Sequence, residues 1–334
     1  MKQAVIEGGF GLDRVVWREV EAPAPGPGQV LVAVKAVSLN YRDLLVVKGR
    51  YNPKMPLPRV PLSDGAGQVV AVGEGVTRWK AGDRVAGIFM QTWLSGAYEE
   101  GHGKSALGGA VDGMLSEEVV LGAEGLVEIP AHLSYREAAA LPCAAVTAWH
   151  ALFERQRLMP GQTVLVLGSG GVSVFALQLA RMAGARVIAT SSSEAKRERL
   201  RALGADWVID YEAVPEWGKL VGKAGGVDHV VEVGGVGTLE QSLAAVRPGG
   251  QVSVIGVLTG LAGAVNLAPV LHKNLHLEGI YVGSRAMFES LNHAVTQAHL
   301  HPVIDATFAA EDIQTALGFM ESAAHFGKIV LEFR

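Results

Sequence analysis

Hydrophobic and polar positions change their rhythm once along the chain. In the first 125 residues the apolar positions fall in short β-branched runs, Ala4–Ile6, Val15–Val20, Val30–Val37 and Gln68–Val72, bounded by Gly/Pro clusters such as Pro23–Gly28. That texture predicts strands joined by tight turns. Between Met90 and Gly113 lies a long glycine-rich stretch without periodicity, the length and texture of a lid or binding loop. From Leu126 onward apolar strands alternate with helical segments. Val164–Leu167 is followed by a helix over Gly171–Ala183, and Arg186–Thr190 by a helix over Ser193–Leu203. The strands Trp207–Ile209 and Val230–Val233 are each followed by a helical stretch, and Gln251–Ile255 ends the series. Strands and helices in alternation predict an α/β fold whose doubly wound parallel sheet is covered on both faces. After Ser284 an amphipathic helix returns, with Met287, Leu291, Ala294 and Val295 on one face, and Ile329–Phe333 closes the chain as a strand.

Two uncharged stretches, Leu158–Ala180 and Pro248–Leu271, are long enough to span a bilayer. Both are interrupted by glycine and proline, as buried strands joined by turns would be. No apolar leader follows Lys2. The length, 334 residues, suits two domains. Lys+Arg 29 against Asp+Glu 33 gives a net charge of −4, which argues against a nucleic-acid partner. Hydrophobic residues at 49% and charged residues at 19% support a large core. A single cysteine, Cys143, excludes a disulfide within the chain and any multi-cysteine zinc site. A reducing, cytoplasmic setting is expected.

The segment Val164-Leu-Val-Leu-Gly168-Ser-Gly170-Gly171-Val172-Ser173 reads as strand, glycine turn and helix start. Gly168 permits the turn, Gly170 lets backbone N–H groups approach a pyrophosphate, and the helix N-terminus favours the anion. Ser173 stands where the third glycine of the fingerprint would be. Val172, Phe175, Ala176, Leu179, Ala180 and Ala183 supply a buried helix face. At the end of the next strand, where an NAD site places a carboxylate on the ribose, this chain has Ser191-Ser192-Ser193 with Lys196 one turn on. Hydroxyls and an ammonium suit a 2′-phosphate, so NADPH is expected over NADH. The serines also suit a helix N-cap, and a lysine there also suits a solvated surface.

The chain resembles the medium-chain dehydrogenase/reductase superfamily, in its zinc-free, quinone-oxidoreductase-like branch. The resemblance rests on Ser38–Asp43, Pro61–Gly67, Ala81–Val85, Ala140–Trp149, the glycine turn, Gly204–Asp206 and Phe326–Val330, which run in family order. It implies a partly open, barrel-like (GroES-like) catalytic domain from residues 1–125 and 285–334, with a Rossmann domain at 126–284 and the active site in the cleft. Zinc-dependent members hold a metal with Cys, His and Cys. The matching positions are Asn40, Ser63 and Cys143, with Asp64 following, and the four-cysteine structural zinc lobe is missing. This set does not make a tight zinc site, so no metal is expected and Cys143 reads as a small apolar residue.

Without a Lewis acid, reduction of an activated double bond (enone, quinone or 2-enoyl) is the expected reaction, on an apolar small molecule. An alcohol dehydrogenase or ketone reductase of the same superfamily, and a non-catalytic NADPH-binding sensor, are the alternatives. Asn40 reads either as a donor to the substrate carbonyl or nicotinamide, or as a turn residue. Tyr51, in Gly49-Arg50-Tyr51, resembles the proton donor of related enoyl reductases and equally suits a cleft rim; Tyr41 is a packing residue. Asp64 reads as a hydrogen-bond acceptor for backbone or as a partner of Arg42 or Arg59. Trp93, Leu94, Leu107 and Met114 are a substrate wall or the loop's own small core. The resemblance further implies cofactor contacts at Thr147, Tyr211, Gly234, Gly256, Gly283 and Lys328, and a homodimer through an edge strand at Leu275–Tyr281.

Overall fold

The computed structural model describes residues 1–333. The chain divides into two compact units, Met1–Val146 with the segment from Gly283 onward, and Thr147–Val282. The first unit therefore reaches about twenty residues further than the texture change at Leu126 suggests. The reason is strand pairing. Leu126–Glu128 is the short antiparallel partner of Arg84–Gly87, and the helix Tyr135–Ala139 after it packs on strands of the same sheet.

The first unit is built on one seven-stranded sheet. Its central member, Gln29–Ser38, pairs along its length with Asp64–Val72, and on its other edge with Glu118–Gly122 and then Lys328–Glu332. Asp64–Val72 starts four residues before the β-branched run that betrays it, because its first residues are glycine-rich. Gly67 has to be glycine: a Cβ there would lie 2.2 Å from the Ala33 carbonyl oxygen across the pair. A strand not apparent in the sequence, Ile304–Ala309, pairs in parallel with Lys328–Glu332. Val30, Val32, Val34, Val37, Val69 and Leu331 fill the core. On the helix Arg285–Ala298 the buried face is Phe288, Leu291, Asn292 and Val295. Met287 and Ala294, expected on that face, are only partly buried.

The second unit is a six-stranded parallel sheet in the spatial order Trp207–Ile209, Arg186–Thr190, Thr163–Leu167, Val227–Glu232, Val246–Val254, His276–Gly279. In sequence order this is 3-2-1-4-5-6, the doubly wound dinucleotide-binding topology. Its ligand crevice lies outside the strand ends where the order reverses, here after Leu167 and after Glu232. The uncharged stretches at 158–180 and 248–271 are strand, turn and helix of this unit, and no helix among the described residues is long and apolar enough to cross a membrane.

One residue of this sheet is costly. His229, on the strand Val227–Glu232, is 1% exposed, and neither ring nitrogen has a hydrogen-bond partner among the described residues. Burial lowers its pKa from 6.5 to about 4. Between those values the unfolded chain binds a proton that the folded chain refuses. Stability therefore falls as pH drops from about 6.5 towards about 4. Replacing His229 with Leu should narrow the difference in unfolding free energy between pH 7 and pH 4.5 by about 2 kcal/mol, measured by denaturant titration. An unchanged difference would acquit this histidine.

Candidate functional site

In the first unit three strand ends converge. Ser38, at the end of the central strand, is the register partner of both Asp64 and Val330. The ladder therefore places Asn40, Ser63, Asp64 and Lys328 together although they are far apart in sequence. Lys328 is 2% exposed, and its Nζ donates to the Leu39 carbonyl at 2.7 Å and to Asn40 Oδ1 at 2.7 Å. Asn40 Nδ2 donates to Ser63 Oγ at 3.4 Å, and the Ser63 hydroxyl donates to Asp64 Oδ1 at 2.7 Å. Asp64 Oδ2 accepts from the Cys143 backbone N–H at 3.0 Å. Asp64 is thus a backbone and hydroxyl acceptor. Arg42 pairs with Asp43 at 3.5 Å and Arg59 with Asp112 at 3.0 Å instead.

Asn40 precedes the helix Tyr41–Val47, and the Asp43 carboxylate accepts from its backbone N–H at 2.9 Å. Asp43 is fully buried; burial first, then the nearby Asp64 charge, raises its pKa to about 6 against the opposing pull of Arg42. Desolvation and the Asp64 charge push the Cys143 thiol well above its ordinary value. Arg42 donates to the Leu107 carbonyl at 2.6 Å, and its guanidinium lies over the rings of Phe89 and Tyr51, 4.7 and 5.2 Å from their centroids. Tyr51 and Tyr41 are both exposed. Of the four loop residues read as a substrate wall or as the loop's own small core, three are buried as a core would be. Trp93, Leu107 and Met114 are each 1% exposed and offer no surface. Trp93 stacks on His102 and donates to the Gly96 carbonyl, so the irregular loop carries its own core. Leu94 remains partly exposed.

In the second unit Gly168 has φ +70°, and a Cβ at Gly168 or at Gly170 would meet no protein atom within 4 Å. The helix Gly171–Met182 begins there without a side-chain cap. An uncapped N-terminus beside open space fits a dinucleotide pyrophosphate. Ser173 fits the third-glycine place because its hydroxyl donates back to the Leu167 carbonyl at 2.6 Å, while Gly171 and Val172 stay partly exposed. At the neighbouring strand end the Tyr211 hydroxyl donates to Ser192 Oγ at 3.1 Å. Ser193 caps the helix Glu194–Ala202, accepting from the Lys196 N–H. Thr147 is buried in the short helix Val146–Trp149.

Two residues of this unit escape sequence reasoning. Arg197 donates to the carbonyls of Ser191 and Ser192, at 3.0 and 2.7 Å, and pairs with Glu194 and Asp210. Its only signal is its place beside Lys196. The buried Glu232 carboxylate accepts from the N–H groups of Gly234 and Gly235, at 2.7 and 3.0 Å, and from the Thr238 and Ser242 hydroxyls. It fixes the turn after its strand, and an acid ahead of Gly-Gly was the available clue. At three of the glycines expected to approach the cofactor, packing by itself already requires glycine. A Cβ would strike Thr238 Oγ1 at 2.2 Å from Gly234, the Val233 carbonyl oxygen at 2.2 Å from Gly256, and Val146 Cγ1 at 2.6 Å from Gly283. Lys328, also expected to contact the cofactor, donates to the Leu39 carbonyl and to Asn40 Oδ1. No group of three or more His, Cys, Asp or Glu among the described residues is placed to hold a metal ion.

Fold and site together define a dinucleotide-dependent oxidoreductase with a GroES-like unit. The sequence matches two family profiles, described as "Alcohol dehydrogenase GroES-like domain" over residues 26–131 and "Zinc-binding dehydrogenase" over residues 171–297. It is 43% identical over 332 residues to the zinc-type alcohol dehydrogenase-like protein C1773.06c of Schizosaccharomyces pombe, covering 96% of each chain. It is 31% identical over 322 residues to the acryloyl-coenzyme A reductase of Metallosphaera sedula, covering 94% of this chain and 95% of that one. Among solved structures, an NAD-dependent alcohol dehydrogenase superimposes with TM-score 0.89 at 34% identity over 99% of both chains. The 2-octenoyl-CoA carboxylase reductase CinF, in complex with NADP and 2-octenoyl-CoA, gives TM-score 0.85 at 27% identity over 96% of this chain and 82% of that one. The chain belongs to the medium-chain dehydrogenase/reductase superfamily, in its quinone-oxidoreductase-like branch, and is an NAD(P)-dependent oxidoreductase.

The two glycines of the turn make separable predictions. Gly170 has φ −76°, so Gly170→Ala should change stability by less than about 0.5 kcal/mol while its methyl group weakens dinucleotide binding by about tenfold or more. Thermal unfolding and fluorescence titration of the cofactor check the two halves. Undiminished affinity would remove the pyrophosphate from this turn.

Proposed function

We propose that this protein reduces the activated double bond of an α,β-unsaturated carbonyl compound (an enone, a quinone or a 2-enoyl derivative) with NADPH and without a metal. The observation that carries the reading is the Lys328 ammonium 2.7 Å from Asn40 Oδ1. At the positions matching the zinc ligands of the superfamily, the oxygen of Asn40 is turned to a cation of the protein itself. The Ser63 proton is committed to Asp64, and desolvation holds the Cys143 thiol protonated. Such a donor set does not fit zinc, and no step is assigned to a metal. The names of two relatives, acryloyl-coenzyme A reductase and 2-octenoyl-CoA carboxylase reductase, support the same substrate class.

NADPH, when bound, supplies the hydride, which adds to the β-carbon. Asn40 Nδ2 donates to the carbonyl oxygen, where negative charge accumulates as the enolate forms. A proton delivered to the α-carbon from the Tyr51 hydroxyl or from water completes a two-electron reduction of the C=C bond. Tyr51 is exposed and shares the face of Arg42, a position from which a phenol can reach a bound substrate. Preference for NADPH rests on the strand end at Ser191–Ser193. Glu194, which follows it, and Asp210, at the end of the neighbouring strand, are both drawn onto Arg197. The hydroxyl of Ser192, held by Tyr211, and the cationic side chain of Lys196 on the following helix are the groups suited to a 2′-phosphate. In the same unit the edge strand His276–Gly279 and the segment before it expose Leu261, Leu267, Leu271 and Leu277. An apolar open edge of this kind supports a homodimer through paired edge strands.

The test is NADPH consumption with an enone and its saturated ketone side by side, in the presence of a chelator. Turnover of the enone alone is expected; turnover of the saturated ketone would replace this reading with an alcohol dehydrogenase, and turnover of neither with a non-catalytic NADPH-binding protein. For the cofactor, Lys196→Ala should weaken NADPH binding by roughly 1–3 kcal/mol and leave NADH binding nearly unchanged. Equal losses for both would refute the 2′-phosphate assignment.

A further inference from the structure

We propose that Lys328 is a positioning residue that determines which end of the Asn40 carboxamide meets the substrate. The inference rests on the reading of Asn40 as the donor to the substrate carbonyl. An ammonium group has donors and no acceptor. The amide atom 2.7 Å from Nζ must therefore be the oxygen, and the amide is held in one of its two flipped states by chemistry alone. Ser63 constrains the other end. Its proton goes to Asp64 Oδ1, so towards Asn40 its oxygen can only accept.

The result is a one-way chain of donors from a buried cation to a buried carboxylate, Lys328 to Asn40 to Ser63 to Asp64. Each member polarises the next, which makes the Asn40 N–H groups stronger donors than those of an isolated amide. One Nδ2 hydrogen is used on Ser63; the second has no protein partner among the described residues, and Asn40 is still 9% exposed. That hydrogen recognises an oxygen acceptor, a carbonyl or better an enolate. It cannot take the proton of an alcohol O–H, and it binds an oxygen more strongly the more negative charge that oxygen carries, which favours the enolate-like transition state. Without Lys328 only the longer 3.4 Å bond to Ser63 would orient the amide, and an amide turned over would meet the developing negative charge with a lone pair.

Because Lys328 acts through Asn40, the two should not be additive. The test is a double-mutant cycle on enone reduction by NADPH with the full-length protein. Asn40→Ala is expected to lower kcat by about 100-fold, and Lys328→Met by about 10- to 100-fold. The double variant should fall within about threefold of Asn40→Ala, with the NADPH Kd unchanged in all three. Losses that multiply would overturn the proposal, because Lys328 would then act on cofactor, substrate or fold by its own contacts. A Lys328→Met variant with unchanged kcat would overturn it as well. An Asn40→Ala variant with unchanged kcat would instead bring down the underlying reading of Asn40. If removal of the buried ammonium prevents folding, the cycle is run with Lys328→Arg, which keeps the charge but changes the donor geometry; the same non-additivity is expected, and multiplying losses overturn the proposal equally.

Discussion

An ammonium group taken out of water has to be compensated on the spot, and Lys328 meets that requirement at the junction of three strands of the first unit. Its partners are the Leu39 carbonyl and the Asn40 amide, with the carboxylates of Asp64 and Asp43 close behind. The compensation dictates the rest of the site. Asn40 has its oxygen turned inward, Ser63 has its proton sent to Asp64, and Asp64 is fixed by the Cys143 N–H. The register of the sheet makes the junction possible, since Ser38 faces Asp64 on one edge and Val330 on the other.

The second unit relies on a different device. Its turns are shaped by groups that do not themselves face a ligand. Glu232 gathers four donors and sets the turn at Gly234-Gly235, and Arg197 grips the two carbonyls of the serine corner while neutralising Glu194 and Asp210. The groups left over are the uncapped start of the helix at Gly171 and the hydroxyl of Ser192, itself held by Tyr211. They are the kind of donors a phosphate needs. Buried carboxylates, the buried Lys328 ammonium and the partly buried Arg197 guanidinium thus serve as internal scaffolding in the two units.

Much of this architecture was legible in the sequence because it is local. The strand, glycine turn and helix at Val164–Ser173 follow from residue order alone, since positive φ at Gly168 and missing bulk at Gly170 are properties of the residue itself. The alternation of strand and helix, and with it the parallel sheet, follows from periodicity. The serine corner with Tyr211 and the residue types at Asn40, Ser63 and Cys143 were also visible in the sequence. The boundary near Leu126 was misplaced because a three-residue strand such as Leu126–Glu128 has no periodicity of its own and is defined only by its partner.

Burial and hydrogen-bond partners are properties of neighbours distant in the chain, and the sequence could not assign them. Nothing about Trp93, Leu107 or Met114 as side chains distinguishes a wall from a core; packing under the loop decided it. Gly234, Gly256 and Gly283 carry the same side chain as Gly168, yet what stands opposite each Cα differs. Lys328 and Asn40 lie 288 residues apart, and only sheet register brings the ammonium to the amide oxygen. The sequence by itself determined the class of fold, the place of the dinucleotide turn and the kinds of group available for chemistry, because these depend on local backbone preference and side-chain identity. The tertiary structure alone decided which groups are spent on each other and which remain free to meet a substrate, because desolvation and pairing exist only once distant strands have been brought together.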